Sequence, residues 1–548
     1  MGVFCLSLFV LLSYLSPGFA QKVAYSKLIV DGSNTVAQTD DNFICATLDW
    51  WPHDKCNYNM CPWGYTSVIN LNLSHPVLGN AIQAFKRLRI RIGGSLQDQV
   101  LYDIGKLKYP CHPFGKEKGG LFGFSTGCLR MNRWDELNHL FSRTGALVTF
   151  GLNALYGRHQ IKKGVWGGDW DFSNAYELIN YTSAKKYPID AWEFGNELSG
   201  SGIGASVGVE QYGKDLVSLK AIVSEVYKNA RSKPSLVAPG GFFDQDWYRK
   251  LLQVSGSGVI NAMTHHIYNL GPGSDPNLVS KILNPNYLSQ ISKTFSNVRQ
   301  TIQENGPWAS PWVGESGGAY NSGGQHVSDT FVNSFWYLDQ LGMASKYGTK
   351  VYCRQTLIGG NYGLLDTSTF EPNPDYYRQC MTILNSALLW HRLMGKGVLA
   401  IDSDASSFLR YYAHCSKGRE GITLLLINFS NITSFSISVR NSKNYRLHIE
   451  RSISKESIFI RRLKETGSFV GLGSSDGQLF REEYHLTPKD GVLQSKTTLL
   501  NGTPLELTKD REIPDLKPAR VDVDTPLTIA PLSIKFVVFP NFDAPVCA

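Results

Sequence analysis

From Phe43 to Arg354 the chain alternates short apolar runs with longer stretches of helical period. The strand-like runs are Phe43–Leu48, Leu88–Gly93, Leu147–Gly151, Ala191–Gly195, Ser235–Ala238, Ala262–His266, Trp312–Gly314 and Val351–Arg354. Between them, apolar positions recur every three or four residues, which predicts helices over Pro76–Arg87, Arg133–Thr144, Asn174–Tyr187, Val209–Ala230, Asp246–Val254, Asn286–Gln303 and Thr330–Tyr347, with Asp375–Leu393 after the last strand. Strands alternating with helices in this way predict an α/β fold, a (β/α)8 TIM barrel, whose functional groups are mounted at the C-terminal tips of the strands. Beyond about Gly397 the period shortens to two. Phe408–Ala413, Thr423–Asn428, Ser434–Arg440, Tyr445–Arg451, Thr497–Leu500 and Ile534–Phe539, separated by turn residues, predict a C-terminal β-sandwich. The early run Val23–Asp31 is expected to add an N-terminal strand to it. The expected division is a leader over 1–20, the added strand within 21–40, the catalytic barrel over 41–394 and the sandwich over 395–548.

Two strand tips share one grammar. Asp190-Ala191-Trp192-Glu193-Phe194-Gly195-Asn196-Glu197 carries an apolar run into an Asn-Glu pair, followed by a Ser/Gly-rich loop from Ser199 to Ser206. Pro311-Trp312-Val313-Gly314-Glu315-Ser316-Gly317-Gly318-Ala319-Tyr320 likewise delivers one Glu into a Gly/Ser loop. Two carboxylic acids presented alike are what glycoside hydrolysis needs: one protonates the glycosidic oxygen, the other attacks the anomeric carbon or activates water. A Glu in low dielectric keeps its proton to higher pH, as a general acid must. The pair predicts Glu197 and Glu315 facing each other, with the acid raised by apolar surroundings and by its partner's charge.

Other tips supply candidates. Arg89 and Arg91 share one pleat face and either hold a substrate carboxylate or pair with the glutamates. His265-His266 lacks carboxylates at metal-ligand spacing, so the expected role is a donor orienting the nucleophile, with no metal and no cofactor. Arg354-Gln355 and the Gly359-Gly360-Asn361-Tyr362 loop suit sugar hydroxyls, or simply a turn. Lys106, Lys108, Lys116 and Lys118, in the loop from Leu101 to Arg130, form either a basic rim or a solvated surface.

The chain has 548 residues, too many for one ordinary domain, and its 42% hydrophobic and 18% charged content excludes a disordered polymer. Aromatic residues reach 12%, which suits stacking on sugar rings. The formal net charge of +8 fits an acidic partner as well as it fits a plain excess of Lys. Met1–Ala20 reads as a secretory leader cleaved after Ala20, and no later run is apolar and long enough to span a bilayer. Sequons at Asn72, Asn180, Asn428, Asn431 and Asn501 agree with secretion. Of ten cysteines Cys5 lies in the leader, so the mature chain keeps an odd number and at least one free thiol. Cys45, Cys353 and Cys380 lie in apolar runs and are expected to be buried, inert thiols. Cys111 with Cys128, and Cys415 with Cys547, are the expected disulfides.

Trp192-Glu193-Phe194-Gly195-Asn196-Glu197, Thr264-His265-His266-Ile267-Tyr268, Trp312-Val313-Gly314-Glu315, Ser328-Asp329-Thr330-Phe331, Arg354-Gln355 with Gly360-Asn361-Tyr362, and the run Gly151–Leu155 together resemble the heparanase-like β-glucuronidases of glycoside hydrolase family 79, most of all the plant heparanase-like proteins. The resemblance spans nearly the whole mature chain. It implies a retaining hydrolase of β-D-glucuronides, acting endo or exo on extracellular polysaccharide, proteoglycan glycans or small glucuronides. Glu197 would be the acid/base and Glu315 the nucleophile. Asp49, Ser95, Asn196, His266, Tyr268, Gln355, Gly360 and Tyr362 would line the uronate site, and Cys415 would pair with Cys547. The partner expected is a uronic-acid-containing glycan. No nucleic acid is expected, the chain would be monomeric, and the final location would be extracellular, cell wall, vacuole or lysosome, with peripheral membrane association left open.

The chain departs from the family pattern in places. Leu198 stands where Pro often follows the acid/base. Leu101–Arg130 is too short to hold the long insertion excised from animal heparanase, so a single-chain enzyme is expected. Gly240–Asp246 is acidic and aromatic where the animal enzyme is basic. The rival readings are a silent matrix protein that binds acidic polysaccharide, against which the intact Glu197/Glu315 pair weighs, and a glycosidase of the same clan acting on neutral β-glycans.

Overall fold

The computed structural model describes residues 22–375, 386–443, 479–504, 508 and 515–548. All eight expected strands form and close into a parallel barrel: Ile44–Asp49, Arg89–Gly93, Leu147–Leu152, Ala191–Phe194, Ser235–Phe242, Ala262–Ile267, Ser310–Ser316 and Val351–Arg354. Each pairs with its neighbours in chain order, and the eighth returns to the first through Tyr352 opposite Ile44 and Cys353 opposite Cys45. Strands buried on both faces carry no polar alternation, which is why they read as unbroken apolar runs.

The last pairing corrects one expectation. Cys45 and Cys353 are not inert thiols; they form a disulfide across the seam where the barrel closes. Parallel strands in register bring their Cα atoms to 4.1 Å, within reach of a bridge. Cys56–Cys61, Cys111–Cys128 and Cys415–Cys547 are also bonded, the last two as expected. Cys380 lies outside the described residues.

The described helices fall where the period placed them, with two differences; of the expected helix Asp375–Leu393 only Ser386–Leu393 is seen, residues 376–385 lying outside the described residues. The expected helix over Asn286–Gln303 is broken into Pro285–Ser289 and Ser292–Asn305. Val332–Lys346 is buried along almost its whole length, because the barrel covers one side and the second domain the other. Tyr412 of that domain donates to Asp339 at 2.6 Å, and its ring lies where a Cβ at Gly342 would stand, so only glycine admits the contact.

The second domain is a mostly antiparallel sheet that curls over itself. Its N-terminal strand Lys22–Gln38 runs between Met394–Ser403, antiparallel, and Thr433–Asn441, parallel. The central strand Ile422–Asn428 is buried on both faces. Leu424 and Leu426 join Leu28, Val30, Phe435, Val439 and Ile529 in the sandwich core, while Leu425 and Ile427 face the barrel's core. The expected strand Tyr445–Arg451 lies outside the described residues.

In the loop from Leu101 to Arg130, Val100–Asp103 and Gly127–Arg130 form a parallel pair beside the Cys111–Cys128 bridge. Lys108 pairs with Asp171, and Lys116 lies 3.6 Å from Asp54. Among the sequons, Asn72, Asn180 and Asn431 are exposed. Asn428 corrects the sequence reading: it is wholly buried, and its amide nitrogen donates to Thr433 and Ala530 carbonyls at 2.7 and 2.8 Å, leaving no room for a glycan. Asn501 is half-buried and its amide donates to the Glu483 carbonyl. Among the described residues no helix is long and apolar enough to cross a membrane.

Candidate active site

Glu197 and Glu315, far apart in sequence, converge at the barrel's C-terminal mouth. One oxygen of each, together with a ring nitrogen of His266, lies within 4.8 Å of the others. Glu197 sits in the turn after the fourth strand with φ 56°, left-handed backbone that a side-chain-bearing residue seldom adopts. The turn is pinned by its own N–H, which donates to the Gly240 carbonyl at 2.7 Å. Such strain persists only where the surroundings enforce it, and it concentrates at functional sites.

The two carboxylates have different company. Glu197 Oε1 meets His266 Nδ1 at 2.9 Å and is otherwise in a dry setting. Burial lifts its pKa to about 7, against the opposing pull of Arg91. His266 is also buried, which pushes its pKa down to about 4 and keeps the ring neutral. Glu315 accepts from Tyr268 OH at 2.5 Å and from Arg91 Nη1 at 2.7 Å. The donor that orients Glu315 is therefore Tyr268, two residues beyond the expected His266, which serves Glu197 instead. Side chains two apart on a strand share a face, so one strand reaches both acids.

Arg91 resolves the ambiguity left by the sequence: it pairs internally. Its guanidinium donates to Glu193 at 2.6 Å, Glu315 at 2.7 Å and Asn196 at 2.7 Å, all buried. Burial alone would favour loss of its proton, but the charges of Glu193 and Glu315 outweigh this and raise its pKa. Arg89 is elsewhere, paired with Asp190 and packed over Trp312. The oxygen and nitrogen donors of Glu197, His266 and Glu315 could face a cation only by competing with Arg91 for Glu315.

The remaining predicted residues gather on the same rim. Asp49 accepts from Gln355 Nε2 at 3.0 Å and from the Trp50 N–H at 2.7 Å. Burial, then the charge of Glu315, lifts its pKa to about 7. A Cβ at Gly94 would lie 2.4 Å from Asp49 Oδ2, so the Gly93-Gly94-Ser95 turn passes directly over that carboxyl. Tyr268 and Tyr362 converge on Gly317, whose absent Cβ would lie 2.8 and 2.9 Å from their rings, and Gly360 packs against Tyr362. Two acids escaped the sequence reading. Glu193 is the buried counter-charge of Arg91; a charged residue inside the apolar run Ala191–Phe194 was itself a signal, since a buried charge requires a partner. Asp98 accepts from the N–H groups of Ala154 at 2.7 Å and Asn196 at 2.8 Å, fixing the backbone beside Glu197, and burial lifts its pKa to about 7. No local pattern marks Asp98, because its partners come from other loops.

Residues 25–342 match the model of the N-terminal domain of glycosyl hydrolase family 79. The chain belongs to that family. It is a glycoside hydrolase, and its substrate is a glycan. Over 530 residues this family 79 chain is 62% identical to heparanase-like protein 1 of Arabidopsis thaliana, covering 96% of each. It is 39% identical to the baicalin-beta-D-glucuronidase of Scutellaria baicalensis over 93% of this chain and 91% of that one. The family 79 fold extends to more distant hydrolases: the GH51 arabinofuranosidase of Xanthomonas axonopodis superposes with a TM-score of 0.62 at 13% identity, over 94% of this chain and 99% of that one.

Proposed function

We propose that this family 79 hydrolase cleaves β-D-glucuronide linkages with retention of configuration, Glu197 acting as acid/base and Glu315 as nucleophile. The observation that carries the reading is that one oxygen of each carboxyl lies within 4.8 Å of the other, too close to leave the wide gap of an inverting pair. A retaining pair stands about 5–5.5 Å apart, whereas an inverting pair leaves roughly 6.5–9.5 Å for a water. Glu315, held by Tyr268 and Arg91, is aimed at the anomeric carbon as a carboxylate. Glu197, with its pKa near 7, still carries a proton for the leaving oxygen in mildly acidic surroundings.

The lift on Glu197 comes from burial rather than from its partner's charge, and this alters how the proton cycles. Arg91 opposes the lift while sharing its charge with Glu315 and Glu193. Once Glu315 becomes an ester it no longer neutralises Arg91. The guanidinium then acts more strongly on Glu197, lowers its pKa, and turns it into the base that deprotonates the incoming water.

Asp49, Ser95, Asn196, His266, Tyr268, Gln355, Gly360 and Tyr362 surround the sugar in this reading. Protonated Asp49 and the two tyrosines supply donors suited to a uronate, and a relative named for a β-D-glucuronidase agrees with that sugar. The leader and the four disulfides suit a secreted enzyme. A mechanism-based 2-fluoro-glucuronide tests the assignment: peptide mass mapping should find the adduct on Glu315. An adduct on another residue, or inactivation only by the corresponding neutral-sugar reagent, refutes it.

A further inference from the structure

We propose that Phe242 is the platform for the leaving group and that it selects an uncharged ring with an apolar face there. This rests on the glucuronidase reading of Glu197 and Glu315. Phe242 ends the fifth barrel strand and is 41% exposed. Single exposed apolar residues are common and by themselves mean little. The position of this one is what matters. Phe242 is the cross-strand partner of His266, so both side chains leave the sheet on the same side, toward the mouth. Its ring centroid lies 6.4 Å from that of His266, edge to face at 73°, and 6.2 Å from that of Tyr268. His266 touches Glu197 and Tyr268 touches Glu315. Phe242 thus packs on both residues that hold the two acids, is partly exposed, and follows Gly241, whose absent Cβ would lie 3.3 Å from Glu197 Cα, on the side of the acid that protonates the departing oxygen.

Charge narrows the ligand. Gly240–Asp246, the segment that carries Phe242, contains Asp244 and Asp246 and no Lys or Arg. Asp246 pairs with Arg249 at 3.1 Å on the surface. Asp244 caps the next helix through the Trp247 N–H at 3.0 Å and lies 3.1 Å from where a Cβ of Gly200 would stand, in the loop that follows Glu197. A sulfated or carboxylated leaving group would meet a carboxylate there. An aromatic aglycone, or the apolar face of a neutral sugar, would meet a ring.

The test compares the parent enzyme with Phe242→Ala and Phe242→Trp on three substrates: β-D-glucuronyl fluoride, whose leaving group is one atom; 4-nitrophenyl β-D-glucuronide; and a glucuronyl-galactose disaccharide. For Phe242→Ala, kcat/KM on the ring-bearing substrates should fall about tenfold further than on the fluoride, the size of a lost ring stack. Phe242→Trp should restore it. A selective fall on the aryl substrate alone assigns the platform to aromatic aglycones, and one on the disaccharide alone assigns it to sugars. An equal fall on all three, or none on the ring-bearing two, overturns the platform. A parent that hydrolyses a disaccharide sulfated on the galactose faster than the unsulfated one overturns the selection for an uncharged ring. A parent inactive on all three substrates overturns the glucuronidase reading, and the platform with it.

Discussion

Replacing Glu197 by Gln should stabilise the enzyme in alkaline solution while disabling it. Burial raises this carboxyl from 4.5 to about 7. At 1.36 kcal/mol per pKa unit, a shift of that size is worth about 3 kcal/mol. The sign follows from which state holds the proton more firmly. With the folded pKa above the unfolded one, the native state is the better proton binder. The contribution of Glu197 to stability is therefore full below about pH 4.5, drains away as pH rises toward 7, and is gone above it. Gln has the same shape and never ionises, so it avoids the cost of a buried charge. Near pH 4 parent and variant should melt together. At about pH 8 the variant should be more stable by roughly 3 kcal/mol, a rise of about 4 °C for a barrel of this size. Asp49 and Asp98 titrate in the same window, but they do so in both proteins and cancel from the comparison. Scanning calorimetry at the two pH values reads the difference. In the parent, kcat/KM on an aryl glucuronide should decline above about pH 7 as the acid loses its proton. An equal shift in melting at both pH values, or a rate still climbing well above neutrality, would sink the burial argument.

Glu315→Gln should abolish turnover in a protein that still folds but melts lower, because buried Arg91 loses one of its two counter-charges; residual activity within tenfold of the parent would contradict a nucleophilic role. Glu197→Ala should spare substrates whose leaving groups need no proton, such as dinitrophenyl glucuronides, and lose about 100-fold or more on alkyl glucuronides, so an equal loss on both counts against the acid assignment. Converting Cys45 and Cys353 to Ala should cost about 6 kcal/mol by the loop-entropy relation, since 308 residues separate them; denaturant titration of the reduced and oxidised parent provides the control.

Much of this was legible in the residues because barrel strands obey a simple rule. Buried on both faces, they must be apolar throughout, and the few polar residues at their tips stand out, as Glu197 and Glu315 do. What stayed hidden depends on register and long-range pairing. Cys45 and Cys353 sit in ordinary apolar runs, and only closure of the barrel sets them opposite each other. His266 and Tyr268 occupy the same face, and nothing local says which acid each reaches. The strand Phe480–Pro488 escaped notice because its buried positions are charged: Arg481 and Lys535 both pair with Glu483, and Arg419 with Glu482. A polar strand made neutral by its neighbours carries no alternation to read. The helix over Val332–Lys346 was legible, but not its burial on all sides, which comes from the docking of a second domain.

The seam disulfide also ties the chain into a covalent ring. Between residues 45 and 353 lie six of the eight barrel strands in full and both acids of the proposed pair. A protease that nicks any exposed loop inside that ring opens it without freeing a fragment. The two pieces stay tethered at the bottom of the same cleft and would separate on a gel only after reduction.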